Sequence, residues 1–205
     1  MKLTITLPLV VVGLLPFTGN NYPKTSRADL IAIKEIILKQ NDMTTQDYST
    51  SILVNKSSEE VYQAINNVRG WWSEEIEGPT DELNKEWFYH YKDIHLCKMK
   101  VVELVPNKKV VWKVMENKFS FIKDKEEWVG NRIIFDISKE GTATKLTFTQ
   151  EGLTSFDECF DVCRDGWNNY VNNSLYKLIT TGKGEPNPKE GEGFNKELAD
   201  KWKLN

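Results

Sequence analysis

The order of its parts constrains this chain more than any other feature. A short helix and a Trp-Trp pair come first, then a run of aromatic-rich strands, then one long amphipathic helix. The helix is read over Ser58–Asn66 and is followed by Arg69-Gly70-Trp71-Trp72. Strands fill roughly Glu86–Leu153, and the closing helix runs from about Ser155 to Leu178. Short loops make the strands antiparallel neighbours, because a parallel crossover needs a dozen residues or more. The fold class is therefore α+β. A curved antiparallel β-sheet wraps a long C-terminal α-helix and leaves an apolar hollow between them.

The local patterns support that order. Tyr48–Asn55 alternates as a strand, with Ile52 and Val54 on one face. Ser57 with Glu60 has the spacing of a capping box, in which each side chain takes a free backbone N–H of the other. Val61, Ala64, Ile65 and Val68 then form a buried stripe, and Gly70 ends the helix. The loop Glu74–Lys85 is acidic, contains Gly78 and Pro79, and is expected to be mobile. Glu86–Asp93 sets Trp87, Tyr89 and Tyr91 against Phe88 and His90. Lys109–Glu116 turns Trp112 inward, Trp128–Ser138 turns Phe135 inward, and Ala143–Gln150 does the same for Phe148. In the closing helix Phe156, Phe160, Cys163, Trp167, Tyr170, Val171, Ser174, Leu175 and Leu178 recur at steps of three and four. Gly182 suits a left-handed cap, Lys183–Gly193 reads as a solvated tail, and Phe194–Trp202 as a short terminal helix.

The chain of 205 residues holds one domain plus extra length at the ends: a leader or extension over 1–42, a domain over 43–184 and a charged tail over 185–205. Three readings of the first part stay open. Leu3–Phe17 resembles the apolar core of a secretory signal, Met43 reads as a natural start, and Ala28–Lys39 has the pattern of an amphipathic helix. The apolar run is too short for stable membrane insertion. A net charge of -3 argues against nucleic acid, which needs a clustered basic face. Three cysteines make no disulfide framework and suit a reducing cytoplasm, or an exported protein if the leader is a true signal.

Three stretches carry a resemblance: SSEEVYQAINNVRGWWSEEIEG (Ser57–Gly78), KMKVVELVPNKKVVWKV (Lys98–Val114) and GWNNYVNNSLYKLITTGKG (Gly166–Gly184). They resemble the family related to the C-terminal domain of the activator of the heat-shock-protein-90 ATPase, within the helix-grip, START-like (SRPBCC) superfamily. The likeness covers roughly Asp47–Pro186. It implies the helix-grip fold and leaves activity open, since lipid carriers, cyclases, hydroxylase domains and co-chaperones share that fold. The chain lacks the separate N-terminal domain of the eukaryotic activators, so it looks like a stand-alone bacterial member.

The expected function is binding of a hydrophobic or amphipathic small molecule between sheet and helix. Its contacts are read as Trp71, Trp72, Phe88, Trp112, Phe135, Phe148, Cys163, Trp167 and Val171, because indoles offer wide apolar faces and one orienting N–H. Two alternatives stay open. One is a lyase or cyclase using His90, His95 or a pocket carboxylate, which requires a titratable group beside the cavity. The other is a co-chaperone-like domain that meets a chaperone or another protein, which requires a filled interior and an exposed patch. Motifs for a serine nucleophile, a phosphate loop or a His-Glu-x-x-His metal site are absent from the sequence. No cofactor and no metal are expected, although His95, Cys97, Cys159 and Cys163 are the residue types of a zinc site.

Overall fold

The structure, a computed structural model, describes residues 26–44 and 46–189. The apolar run Leu3–Phe17 and the terminal helix read over Phe194–Trp202 lie outside the described residues. The chain divides into two units, Met1–Gln40 and Asn41–Asn205. Helix α1 (Arg27–Thr44) starts on a reciprocal cap: Ser26 N–H donates to Asp29 Oδ2, and Asp29 N–H to Ser26 Oγ. Leu30, Ile31, Ile33 and Ile36 of α1 are exposed.

The second unit is a six-stranded antiparallel sheet with helices on one face. The strands are β1 (Tyr48–Val54), β2 (Glu86–Tyr91), β3 (His95–Val105), β4 (Lys109–Phe119), β5 (Arg132–Glu140) and β6 (Ala143–Glu151). Their order across the sheet is β1-β6-β5-β4-β3-β2. The crossover that puts β1 beside β6 follows α2 (Ser58–Asn66), which packs on β4 and β5. The capping box is present, with Glu60 N–H on Ser57 Oγ at 3.1 Å and Ser57 N–H on Glu60 Oε2 at 2.8 Å. These bonds hold the Glu60 carboxyl down to about 2.

The long C-terminal helix follows as α3 (Phe160–Trp167), a π-helical segment Asn168–Leu175, and α4 (Tyr176–Thr181). Gly182 ends it at φ 80, the left-handed cap that glycine adopts without strain. The helix starts later than its pattern suggests. Phe156 is 72% exposed in the turn before it, because the first turn is capped from the β4–β5 loop rather than from Ser155. The Glu127 carboxylate accepts from Glu158 N–H at 2.5 Å and from Cys159 N–H at 2.9 Å. A carboxylate there takes two free donors and meets the positive end of the helix.

Two segments expected to be solvated are held. Arg69 donates to Ile76 O at 3.0 Å and to Gly78 O at 2.8 Å, and Thr80 Oγ1 donates to Asn66 O at 2.7 Å. The acidic loop is thereby pinned, with Ile76 and Thr80 buried. The second is Gly184–Asn187, which crosses the Trp-Trp turn as a strap. Ser73 pairs with Asn187 in a parallel bridge, Asn187 N–H donates to Trp72 O, and Glu185 N–H donates to Ser174 Oγ. A Cβ on Gly184 would lie 2.2 Å from Gly70 O, so only glycine lets these backbones approach.

Candidate functional site

The inner face of the sheet and the long helix enclose an aromatic interior. Trp71 and Trp72 enter from the turn after α2, and Trp87, Trp112, Phe135 and Phe148 from β2, β4, β5 and β6. Trp167, Tyr170 and Val171 enter from the helix. The rings touch in series. Trp72 meets Trp87 at 5.7 Å and Trp167 at 4.9 Å, Trp87 meets Trp112 at 5.1 Å, and Phe148 meets Trp167 at 4.6 Å. Of the nine contacts read from the sequence, Trp71, Trp72, Trp112, Phe135, Phe148, Trp167 and Val171 gather here, and they pack on one another.

Phe88 does not. It stands on the opposite face of β2 from Trp87 and Tyr89 and is 47% exposed. The two-residue period of a strand puts it outside whenever Trp87 is inside. Cys163 lies at one end of the interior, where Trp128 Nε1 donates to Cys159 Sγ at 3.2 Å. Trp128 belongs to the core and was missed as a contact, because its turn before β5 reads as the start of a strand. It stacks on Trp167 at 5.9 Å and 11°.

The indole N–H groups of this interior differ in their partners. Trp71 Nε1 donates to Ile65 O at 3.2 Å and Trp167 Nε1 to Gln150 Oε1 at 2.5 Å. The N–H groups of Trp72, Trp87 and Trp112 and the amide nitrogen of Gln150 are buried without a hydrogen-bond partner. The Trp72 side chain faces the Tyr89 hydroxyl, with their rings 4.6 Å apart. Burial, and the Tyr170 hydroxyl next to it, push the Tyr89 phenol well up. Among the described residues, the buried polar side chains are Asn, Ser, Thr and Gln, with no Asp, Glu, Lys or Arg.

The candidate acid–base groups lie elsewhere. His95 is half-buried at the rim, 4.4 Å from Phe119, 5.0 Å from Trp128 and 5.2 Å from Tyr89, with Nε2 2.9 Å from Asn117 Oδ1. That aromatic surround pushes its pKa down to about 4, so the ring is neutral at pH 7. His90 lies on the outer face against Glu75 at 3.2 Å. Burial pushes the Cys97 thiol up, and burial with Cys159 next to it does the same for Cys163. The zinc-type set of His95 and the three cysteines does not gather. Among the described residues, no three His, Cys, Asp or Glu are placed to hold a metal ion.

A concavity lies on the outer face of β2, β3 and β4. It is a hollow of about 700 Å³ whose walls include Phe88, His90, Leu96, Lys98, Met115 and Val129.

Residues 55–180 match the profile of the family described as "Activator of Hsp90 ATPase homolog 1-like protein". The chain belongs to this family. No curated protein matches it. Among solved structures, the Aha1 dimer from Colwellia psychrerythraea is 22% identical, with 68% of this chain and 99% of that one covered and a TM-score of 0.55. A Staphylococcus saprophyticus protein (16% identical, 68% and 95% covered) and a Mesorhizobium loti protein (11% identical, 64% and 96% covered) each reach 0.51. At these identities the likeness concerns the fold alone: the helix grip. Among the described residues, no helix is long and apolar enough to cross a membrane.

Proposed function

We propose that this member of the family is a non-catalytic binding protein that takes a neutral, apolar molecule bearing hydrogen-bond acceptors into the helix grip. The unpartnered indole N–H groups of Trp87 and Trp112 carry the reading. A buried donor with no acceptor costs about 1–3 kcal/mol, and native interiors rarely leave several side by side. Carbonyl or ether oxygens between flat apolar faces are the matching chemistry. The lack of a charged side chain among the buried polar residues favours a neutral molecule. Because the rings already touch, a ligand must displace ring contacts, and binding is coupled to repacking of the tryptophans.

Nile red, a neutral aromatic ketone, tests this. Titration of the intact chain is expected to quench tryptophan emission and raise dye emission, more weakly in Trp112→Phe and unchanged in Phe88→Glu. Native mass spectrometry of protein isolated from its own cells is expected to show a retained mass of a few hundred daltons. The absence of both a retained mass and quenching would overturn the reading.

A second reading has its own support. The packed interior and the outer hollow with exposed Phe88 fit a domain that meets a chaperone or another protein. Under either reading we place the domain at 43–184 with the strap to Asn187 added. The first 42 residues then form a leader or extension and the remainder a charged tail. Three free, buried cysteines favour a reducing cytoplasm.

A further inference from the structure

Outside the helix grip, the outer hollow joins an apolar floor to unneutralised charge. Phe88, Leu96, Met115 and Val129 are all exposed there. Met115 is turned out where the pairing of β3 and β4 shifts register at Lys98/Met99. Val129 is brought in by Gly130 N–H on Val114 O at 3.0 Å. Apolar side chains gathered on one face mark a docking surface, whereas scattered ones do not. The edge of β2 is closed to an added strand at this point, because Glu77 exchanges both backbone hydrogen bonds with Phe88. An occupant must therefore lie on the face. The roughly 10 Å from β2 to β4 matches the width of one α-helix with its side chains, about 10–12 Å.

The charges select among occupants. Lys98, at the centre, is satisfied within the chain: it meets Glu86 and Glu116 at 3.1 Å each and lies over the Phe88 ring at 5.4 Å. The lysines at the two ends of the floor are not. At one end Lys118 stands opposite Leu96, and Phe119 N–H on Lys125 O at 3.0 Å brings Lys125 alongside. At the other end Lys100 and Lys113 lie directly opposite each other, within a row of Glu86, Lys100, Lys113, Arg132 and Glu151 that crosses five strands. Arg132 is bound to Glu151 at 2.9 Å. Among the described residues, none forms an ion pair with Lys100, Lys113, Lys118 or Lys125. Like charges directly opposite on a sheet repel, and a counter-charge between them removes the cost. Of the carboxylates that line the hollow, Glu116 is taken by Lys98, which leaves Glu77 and Glu126 against those four lysines. Leu96 to Lys100 is about 13 Å along β3, so the two lysine pairs take separate carboxylates on either side of an apolar centre.

We propose that this face binds an acidic amphipathic segment of another protein. Its apolar side chains rest on Phe88, Leu96, Met115 and Val129, and its carboxylates meet Lys100 with Lys113 and Lys118 with Lys125. The inference rests on the reading of this domain as one that meets a protein partner, and it adds the partner's chemistry: apolar in the middle and negative at both ends. A helix seats a convex apolar stripe in a concave floor, whereas a planar anionic bilayer does not. The site is independent of whatever the helix grip holds.

Selection on the immobilised full chain from a displayed library of random peptides, about 16 residues long to cover the span as a helix, tests this. Recovered peptides are expected to combine Leu or Phe with Asp or Glu. Their affinity should fall about tenfold or more in Phe88→Ser and in Val129→Ser, and by as much in Lys100→Glu/Lys113→Glu. It should also weaken as salt rises past 0.1 M, where the screening length is about 10 Å. Both serine positions are exposed, so near-ultraviolet circular dichroism should match the parent in each, and Trp112→Phe should leave peptide binding unchanged. Peptides that need Phe88 but are neutral or basic would overturn the acidic chemistry and leave the docking reading standing. Recovery of no peptide that needs Phe88 would overturn both. Flotation with phosphatidylserine vesicles that is lost in Lys100→Glu/Lys113→Glu would assign the face to a membrane. Self-association that is lost in Phe88→Ser would assign it to a second copy, and either result would overturn the proposal.

Discussion

Replacing Trp112 and Trp167 by Phe, one at a time, separates a tryptophan whose N–H is paired from one whose N–H is not. Both side chains are enclosed, at 0% and 2% exposure. Each swap removes the same atoms and leaves a comparable void, at about 1–2 kcal/mol apiece. The difference lies at the nitrogen. Trp167 Nε1 donates to Gln150 Oε1, and Gln150 is fully buried with its own amide nitrogen unpaired. Losing that donor strips the Gln150 amide of its side-chain partner, a further 1–3 kcal/mol or about 2 at the centre. The Trp112 N–H has no acceptor, so its removal relieves a desolvation cost of about the same size. Trp167→Phe is therefore expected to lose about 3 kcal/mol, and Trp112→Phe to stay within about 1 kcal/mol of the parent. For a domain of this size the larger loss lowers Tm by roughly 6–12 °C. Urea and thermal melts of the ligand-free proteins, followed by near-ultraviolet circular dichroism, measure both. Equal losses would refute the reasoning. They would mean that the Trp112 N–H is satisfied in solution, and the acceptor-bearing ligand would lose its main support.

Three further outcomes follow from single contacts. His95 titrates near 4 in the folded protein against about 6.5 unfolded, so the unfolded chain binds the extra proton between those values. Its contribution is full above pH 6.5 and is lost as pH falls toward 4, on the order of 2–3 kcal/mol. Urea midpoints at pH 4.5 and 7 should show that slope, and His95→Phe should flatten it; an unchanged slope would remove the aromatic surround as its cause. Gly184→Ala forces a Cβ against Gly70 O and should cost roughly 1–3 kcal/mol, with faster proteolysis after Lys183; wild-type stability would show that the strap is not tightly seated. Glu127→Ala frees two amides at the start of α3 and should cost about 1–2 kcal/mol in a thermal melt.

Much of this architecture was legible because it rests on short-range patterns. The Ser57–Glu60 box, the alternation through Trp112, Phe135 and Phe148, and the Gly182 cap all work within a few residues, and all are present. What escaped the pattern depends on distant partners. The Glu74–Lys85 loop reads as mobile from composition, but Arg69 and Thr80 supply hydrogen bonds from outside its own pattern. Gly184–Asn187 reads as tail, but its partners sit more than a hundred residues back, at Gly70–Glu74. The candidate site divides the same way. Strand period orients a ring inward, yet it does not report whether the inward rings surround a space or fill it. Phe88 shows the limit from the other side, since its own alternation with Trp87 already placed it outside.

The strap also bears on when the domain can finish folding. Asn187 N–H closes on Trp72 O, so the turn that carries two of the central indoles is secured by almost the last described residues to be synthesised. Until then the Trp-Trp segment has α2 and the strands to rest on but lacks its own clamp. Closing so long a stretch of chain carries an entropic cost before the contact returns anything, and such topologies fold slowly. A nascent chain that stalls before the strap would present large aromatic surface to whatever is nearby. A refolding phase that slows with Gly184→Ala, and leaves early strand protection untouched, would be the kinetic mark of that late closure.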